Sequence, residues 1–223
     1  MPASAAGGGY PLDTFPVGKL DNLPALQNGA KLFVNYCLGC HSTSLMRYNR
    51  LQDIGLTPDQ IKANLMFTGS KVGDPMSIAM TKADAKAWFG AAPPDLSVIT
   101  RARSSGAGSG SDWVYTFLRS YYRDGGTATG WNNALFPNVG MPHVLWELQG
   151  ARKVNVTEIK SEGDHGFMQT IASYDSRGTA SIGEATELSG HRMPARPSVS
   201  TRPAAASSPQ SSTTTRLPTS WPT

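Results

Sequence analysis

Cys37-Leu38-Gly39-Cys40-His41 puts two thiols three positions apart and a histidine directly after the second. This Cys-x-x-Cys-His spacing is that of a c-type haem attachment site. On one helical turn both sulfurs can reach the haem vinyl groups and form thioethers. The following imidazole then lies beneath the macrocycle, where it can ligate iron. The chain has 2 cysteines in 223 residues, both inside this motif, so neither a disulfide scaffold nor a four-thiolate metal site can be built. Three other readings compete: a dithiol redox pair, half of a zinc site, and chance. The dithiol pair wants a preceding strand and a βαβ setting, which the sequence lacks. Zinc wants two more ligands at close spacing, whereas His143, His165 and His191 lie far along the chain.

An iron held by one histidine takes a sixth ligand or keeps an open position. A Met/His pair suits electron transfer, because thioether sulfur stabilises ferrous iron and raises the reduction potential. Met46, Met66, Met76, Met80, Met141 and Met168 are the internal candidates. Met141 sits in Phe136-Pro137-Asn138-Val139-Gly140-Met141-Pro142, where Pro and Gly fix a non-helical loop. Such a loop can hold a sulfur rigidly at an iron 100 positions after His41. Met66, Met76 and Met80 lie among ordinary apolar neighbours and read as core filler.

Working outward, hydrophobic residues make up 39% of the chain and the formal charge is +4. No stretch approaches the ~18 apolar residues of a membrane-spanning helix, and so mild a charge gives no reason to expect nucleic acid. Met1-Pro2-Ala3-Ser4-Ala5-Ala6 lacks the basic start and apolar centre of a signal peptide. Residues 1–153 carry the whole positive balance, and no Asp, Glu or Lys follows Glu187. Pro, Ser, Thr and Ala fill 23 of the 30 positions from 194 to 223, a composition that predicts disorder. The expected organisation is therefore a globular domain over 1–153 and a low-complexity tail over 154–223.

Within the domain the pattern reads as helix and loop. Leu26, Ala30, Leu32, Phe33 and Tyr36 recur at near-helical spacing. Thr57-Pro58-Asp59-Gln60 has an N-cap Thr followed by Pro at the first helical position, and opens a helix through Leu65. Asp112 is expected to cap a helix over 113–122, with Val114, Phe117, Leu118 and Tyr121 on one face. Gly- and Pro-rich stretches separate these segments, and strand-like alternation is scarce. The expected class is mainly α: a helical domain whose long loops wrap a covalently bound haem, followed by a disordered tail.

Several motifs in order resemble the cytochrome c1 family, the haem subunit of the cytochrome bc1 complex, in its proteobacterial form. They are Cys37 to His41 continuing as Ser42-Thr43-Ser44-Leu45-Met46-Arg47-Tyr48-Asn49-Arg50-Leu51, then Trp88-Phe89-Gly90, Pro93-Pro94-Asp95-Leu96-Ser97, Arg101-Ala102-Arg103, and Asn133 through Met141-Pro142-His143. The resemblance runs from about Tyr10 to Gln149. It implies that the domain is cytochrome c-like, that Cys37 and Cys40 hold one haem c, that His41 is the proximal iron ligand and that Met141 is the distal one. It also implies that Pro94 lines the haem pocket and that Arg103 pairs with a haem propionate, a buried carboxylate being costly without such a partner. Trp113 aligns near an aromatic that the family places by the propionates. Arg101 reads equally well as a solvated loop charge. No nucleophile–base pair is evident, so no catalytic residue is assigned.

The implied function is to take one electron from a Rieske iron–sulfur protein and pass it to a soluble cytochrome c. The implied setting is beside cytochrome b, on the periplasmic side of a bacterial inner membrane. A free-standing monohaem shuttle is the alternative, and a haem-based ligand sensor a third reading. The family also has a signal peptide and one C-terminal transmembrane anchor, neither of which this sequence shows. One codon choice in a shifted frame turns Ser207 to Thr223 into Leu-Ser-Pro-Glu-Gln-Tyr-Asp-Asp-Ala-Val-Ala-Asp-Leu-Val-Ala-Tyr, which resembles the family's amphipathic helix before the anchor. A frameshift between Lys153 and Ala206 is therefore expected. In cytochromes c of this fold the C-terminal helix crosses the helix before the haem motif at positions matching Gly29 and Phe33. Without that partner, Leu32, Phe33 and Tyr36 should stay partly wet.

Overall fold

The computed structural model describes residues 10–150, 152–161, 167–175, 177–184, 186–188 and 199–203. The first helix, α1 (Leu23–Leu32), starts where the Asn22 side chain accepts the Ala25 amide, with Pro24 in the first turn. It runs straight into a π-helical turn, Phe33–Cys37, closed by Leu38 N–H donating to the Phe33 carbonyl at 3.0 Å. Single π turns widen a helix and re-aim its side chains, and this one delivers Cys37 to the end of the helical run. No residue of α1 is fully buried; Leu32, Phe33 and Tyr36 are half-buried.

Strand β1 (Thr43–Arg47) pairs antiparallel with β2 (Pro75–Met76). Between them lie a 3-10 stretch, Tyr48–Ile54, and helix α2 (Pro58–Asn64). The 3-10 stretch stops at Gly55, whose φ of 81° is readily reached only without a side chain. At the start of α2, Thr57 accepts the Gln60 amide while the Gln60 side chain accepts the Thr57 amide, a complete capping box. Val34, Leu38, Tyr48, Leu51, Leu56, Ile61, Leu65 and Met76 form one buried cluster here, and Met76 is the core filler its neighbours suggest.

Helix α3 (Lys82–Phe89), capped by Thr81, is followed by α4 (Ile99–Ala102) and α5 (Gly110–Arg119). The sequence reading put the cap of α5 at Asp112; the structure puts it at Ser109, whose side chain accepts the Asp112 amide. Asp112 instead binds the Phe15 amide at 2.7 Å and the Ser109 hydroxyl. Helix α5 also ends earlier than expected, because Tyr121 and Tyr122 enter strand β3 (Tyr121–Arg123), which pairs with β4 (Trp131–Asn133). Gly110 lies so close to the Thr100 carbonyl that any Cβ would overlap it. A short helix, α6 (Trp146–Gln149), ends this part of the chain. Tyr121, Trp131 and Val139 form a second buried cluster, against which Phe117, Phe136 and Met141 pack.

The mainly α class is not what the structure shows. Besides the two small ladders, β5 (Arg152–Ser161), β6 (Phe167–Tyr174), β7 (Ala180–Ile182), β8 (Thr186–Leu188) and β9 (Val199–Pro203) build a five-stranded antiparallel sheet. Its order is β7-β6-β5-β9, with β8 also on β6. The physical reason is local patterning that bulk composition conceals: Val154-Asn155-Val156-Thr157 alternates apolar with polar, and Ile171-Ala172-Ser173-Tyr174 begins and ends on a β-branched and an aromatic residue. Val154, 1% exposed, joins Tyr122 and Ala134 in a third small cluster. The expected boundary after Lys153 thus falls inside β5. Residues 204–223, which hold the shifted-frame string, lie outside the described residues. Among the described residues no helix is long and apolar enough to cross a membrane.

Candidate functional site

The Cys-x-x-Cys-His turn is closed by its own backbone: the amides of Cys40 and His41 both donate to the Cys37 carbonyl, at 3.1 and 2.9 Å. Both thiols are free, Cys37 half-buried and Cys40 exposed. Burial first, and then the neighbouring Cys40, pushes the Cys37 thiol above its ordinary range, so it stays protonated at neutral pH. A groove of about 320 Å³ opens beside Cys40, lined among others by Ser42, Ser44, Met80, Pro93 and Asp95.

His41 is buried, and its Nδ1 lies 2.7 Å from the Pro94 carbonyl oxygen across 53 residues of sequence. A carbonyl only accepts, so Nδ1 carries a proton, and in the neutral ring Nε2 is then the nitrogen with the lone pair. This is the tautomer of a metal-ligating histidine, whose second ring nitrogen usually donates to a carbonyl or carboxylate. Two thiols on one turn beside an imidazole prepared in this way fit a covalently held haem. Thus Cys37, Cys40, His41 and Pro94 form one constellation.

Met141 and Arg103 belong to another. Arg103 lies over the Trp113 ring at 4.4 Å and the Phe136 ring at 5.7 Å, and Trp113 stacks on Phe117 at 5.1 Å. Met141 packs with Phe117 and Phe136 on the Tyr121 cluster, so the two residues share one aromatic wall. The loop carrying Met141 is pinned by two adjacent asparagines. Asn133, fully buried, accepts the Leu135 and Phe136 amides on Oδ1 and donates to the Phe117 carbonyl. Asn132 accepts the amide of Asn138, a residue held at φ 60°. The Tyr121 hydroxyl then donates to the Met141 carbonyl at 3.2 Å.

Sequence reasoning missed His143 as part of this wall. Its ring is 3% exposed, stacks on Tyr121 at 4.6 Å and meets Trp131 edge-on at 5.0 Å. Burial, then Arg152 and Arg123, brings its pKa down to about 4, so it is neutral at physiological pH. Nothing local in the sequence signals this, because its partners come from β3, β4 and the chain beyond α6.

The sequence matches the profile described as the Cytochrome C1 family over residues 13–154. A Nitrosomonas europaea protein named ammonia monooxygenase gamma subunit is 51% identical over 148 residues, covering 66% of this chain and 60% of that protein. Cytochrome c1 of Allochromatium vinosum is 49% identical over 150 residues, 67% of this chain and 59% of that protein. A mitochondrial cytochrome c1 of Solanum tuberosum is 32% identical over 114 residues, 44% of this chain and 34% of that protein. The chain therefore spans about three fifths of the length of the first two curated relatives.

Proposed function

The chain belongs to the cytochrome c1 family, and from that premise we propose that it is the electron-transfer haem subunit of a ubiquinol–cytochrome c reductase. In this reading it receives one electron from a Rieske iron–sulfur protein and hands it to a soluble cytochrome c. It would work beside cytochrome b on the periplasmic side of a bacterial inner membrane. Proteins of the family carry one covalently bound haem c, which when bound supplies an iron that cycles between ferrous and ferric states.

The chain's own residues would serve that group as follows. Cys37 and Cys40 hold it covalently. His41 would offer its Nε2 and Met141 its sulfur as ligands to the iron. The Pro94 carbonyl orients the imidazole and raises its basicity. Arg103, held over the Trp113 ring and near the Phe136 ring by cation–π attraction, would present a cation to a haem propionate. The observation that carries the reading is the Nδ1 contact of His41 with Pro94, which leaves Nε2 free for the metal.

The test is the chain matured with covalent haem. Its reduced spectrum should not respond to carbon monoxide. Met141→Ala should abolish the long-wavelength sulfur–iron charge-transfer band and open the site to carbon monoxide. Absence of pigment in the parent, or an unchanged band in the variant, would overturn the assignment. Co-purification with cytochrome b and a Rieske protein separates this subunit from a free-standing shuttle. It also separates it from a subunit of the oxidoreductase for which the Nitrosomonas relative is named.

A further inference from the structure

Immediately after His41 the chain is laced to the segment 94–97 by more hydrogen bonds than the His41–Pro94 contact needs. The Leu96 amide donates to the Ser42 carbonyl at 2.8 Å. The Ser44 amide and hydroxyl both donate to Asp95 Oδ2, at 2.9 and 2.7 Å. The Ser97 amide donates to Asp95 Oδ1 at 2.8 Å, and the Ser97 hydroxyl accepts the Leu45 amide at 3.0 Å. Desolvation pushes the Asp95 carboxyl up, but the hydroxyls of Ser97 and Ser44 and then their amides pull it well below the usual range. The carboxylate is thus ionised at any ordinary pH and holds three donors from the chain. It belongs to the residue whose amide nitrogen shares a peptide plane with the Pro94 carbonyl. Anchoring this side chain to Ser44 therefore fixes the plane that carries the acceptor of the His41 proton.

We propose that Asp95 is a positioning residue for the axial histidine: it clamps the 94–97 turn onto Ser44, holds the Pro94 carbonyl on His41 Nδ1, and so sets how strongly the imidazole donates to the iron. This rests on the reading of His41 as the iron's ligand. A well-made Nδ1–H···O=C bond gives the imidazole anionic character and favours the ferric state. A loosened bond favours the ferrous state.

The experiment is a redox titration of the haem-loaded chain, its covalent haem content measured alongside. Asp95→Ala should keep the pigment and shift the ferric–ferrous equilibrium about tenfold toward ferrous, ~59 mV upward for one electron. Ser44→Ala, which removes only the hydroxyl contact, should shift it in the same direction by less. Asp74→Asn is the matched control. Asp74 accepts the Ser70 amide and hydroxyl and the Lys71 amide on one oxygen, yet touches neither Pro94 nor His41. It should lower stability and leave the potential in place. The proposal is overturned if Asp95→Ala and Ser44→Ala both stay within twofold of the parent, or if Asp74→Asn moves the potential as far. Should Asp95→Ala fail to mature, Asp95→Asn and Ser44→Ala decide by the same criterion. Failure of the functional reading looks different, since the parent itself would then carry no haem.

Discussion

Residues 22–150 and the sheet built within residues 152–203 are ordered in contrasting ways. In the first region, side chains repeatedly bind backbone: caps at Asn22, Thr57, Thr81 and Ser109, and the clamps of Asp95, Asn132 and Asn133. In the second, the order comes chiefly from strand ladders, the β5–β6 register running unbroken from Val154 with Tyr174 to Ser161 with Phe167. Ile171 and Ile182 stand 43% and 73% exposed there, while Val154 anchors the sheet to Tyr122 and Ala134. Every candidate haem residue lies in the first region. The lesson is that a redox site demands fixed side-chain directions, which ladders alone do not supply.

The contrast can be broken or sharpened by experiment. Replacing Cys37 and Cys40 together by Ala should abolish covalent haem completely, whereas no substitution in β5–β9 should reduce haem content; a peroxidase-stained gel reads both. Next in size is a pair of glycines. Gly110→Ala drives a Cβ into the Thr100 carbonyl, and should cost about 4 kcal/mol or more. Gly178→Ala, at φ 89° with Arg123 atoms 3.1–3.2 Å away, should cost about 1–3 kcal/mol. Denaturant melts of the loaded protein compare them, and equal losses would mean that the two regions are not built differently.

Val154→Ala should cost roughly 1.5 kcal/mol for the two carbons removed and make β5–β9 more sensitive to protease, with the haem spectrum unchanged. Thr57→Ala, confined to one capping box, should cost about 1 kcal/mol.

The smallest effect is acid sensitivity. Asp74, Asp95 and Asp112 in the first region, and Asp175 in the second, all sit below their ordinary value of 3.8 because backbone or hydroxyl donors bind them. A depressed carboxylate stabilises fully above its unfolded pKa and loses that contribution as pH falls through its folded one. Melting temperature should therefore decline between about pH 6.5 and 4, where buried His143 resists the proton that an unfolded histidine takes up, and drop further below pH 4 as the carboxylates protonate. Asp95→Asn should flatten part of that drop, and a parent curve with no drop would remove the carboxylates from the account.

How far was this legible? The α2 cap at Thr57, the helix entering Cys37 and the haem motif depend on residues at most four apart, and the sequence shows them directly. The start of α5 was misplaced by three residues because Ser109 and Asp112 are both good caps, and the choice between them follows from Asp112 being taken by the Phe15 amide. The sheet escapes a reading of composition, because its signal is the short alternation at Val154 to Thr157 and pairings between segments far apart in sequence.

By itself the sequence determined the chemistry on offer: two thiols and an imidazole on one turn, and a sulfur in a rigid loop. Tertiary structure alone decided which nitrogen of His41 is free, through Pro94 53 residues away. It also decided that Asp95 grips Ser44 51 residues earlier, and that His143 lies neutral against Tyr121. Short-range geometry follows from covalent connectivity and can be read from a string of letters. A hydrogen bond across fifty residues exists only once the whole chain has chosen its path.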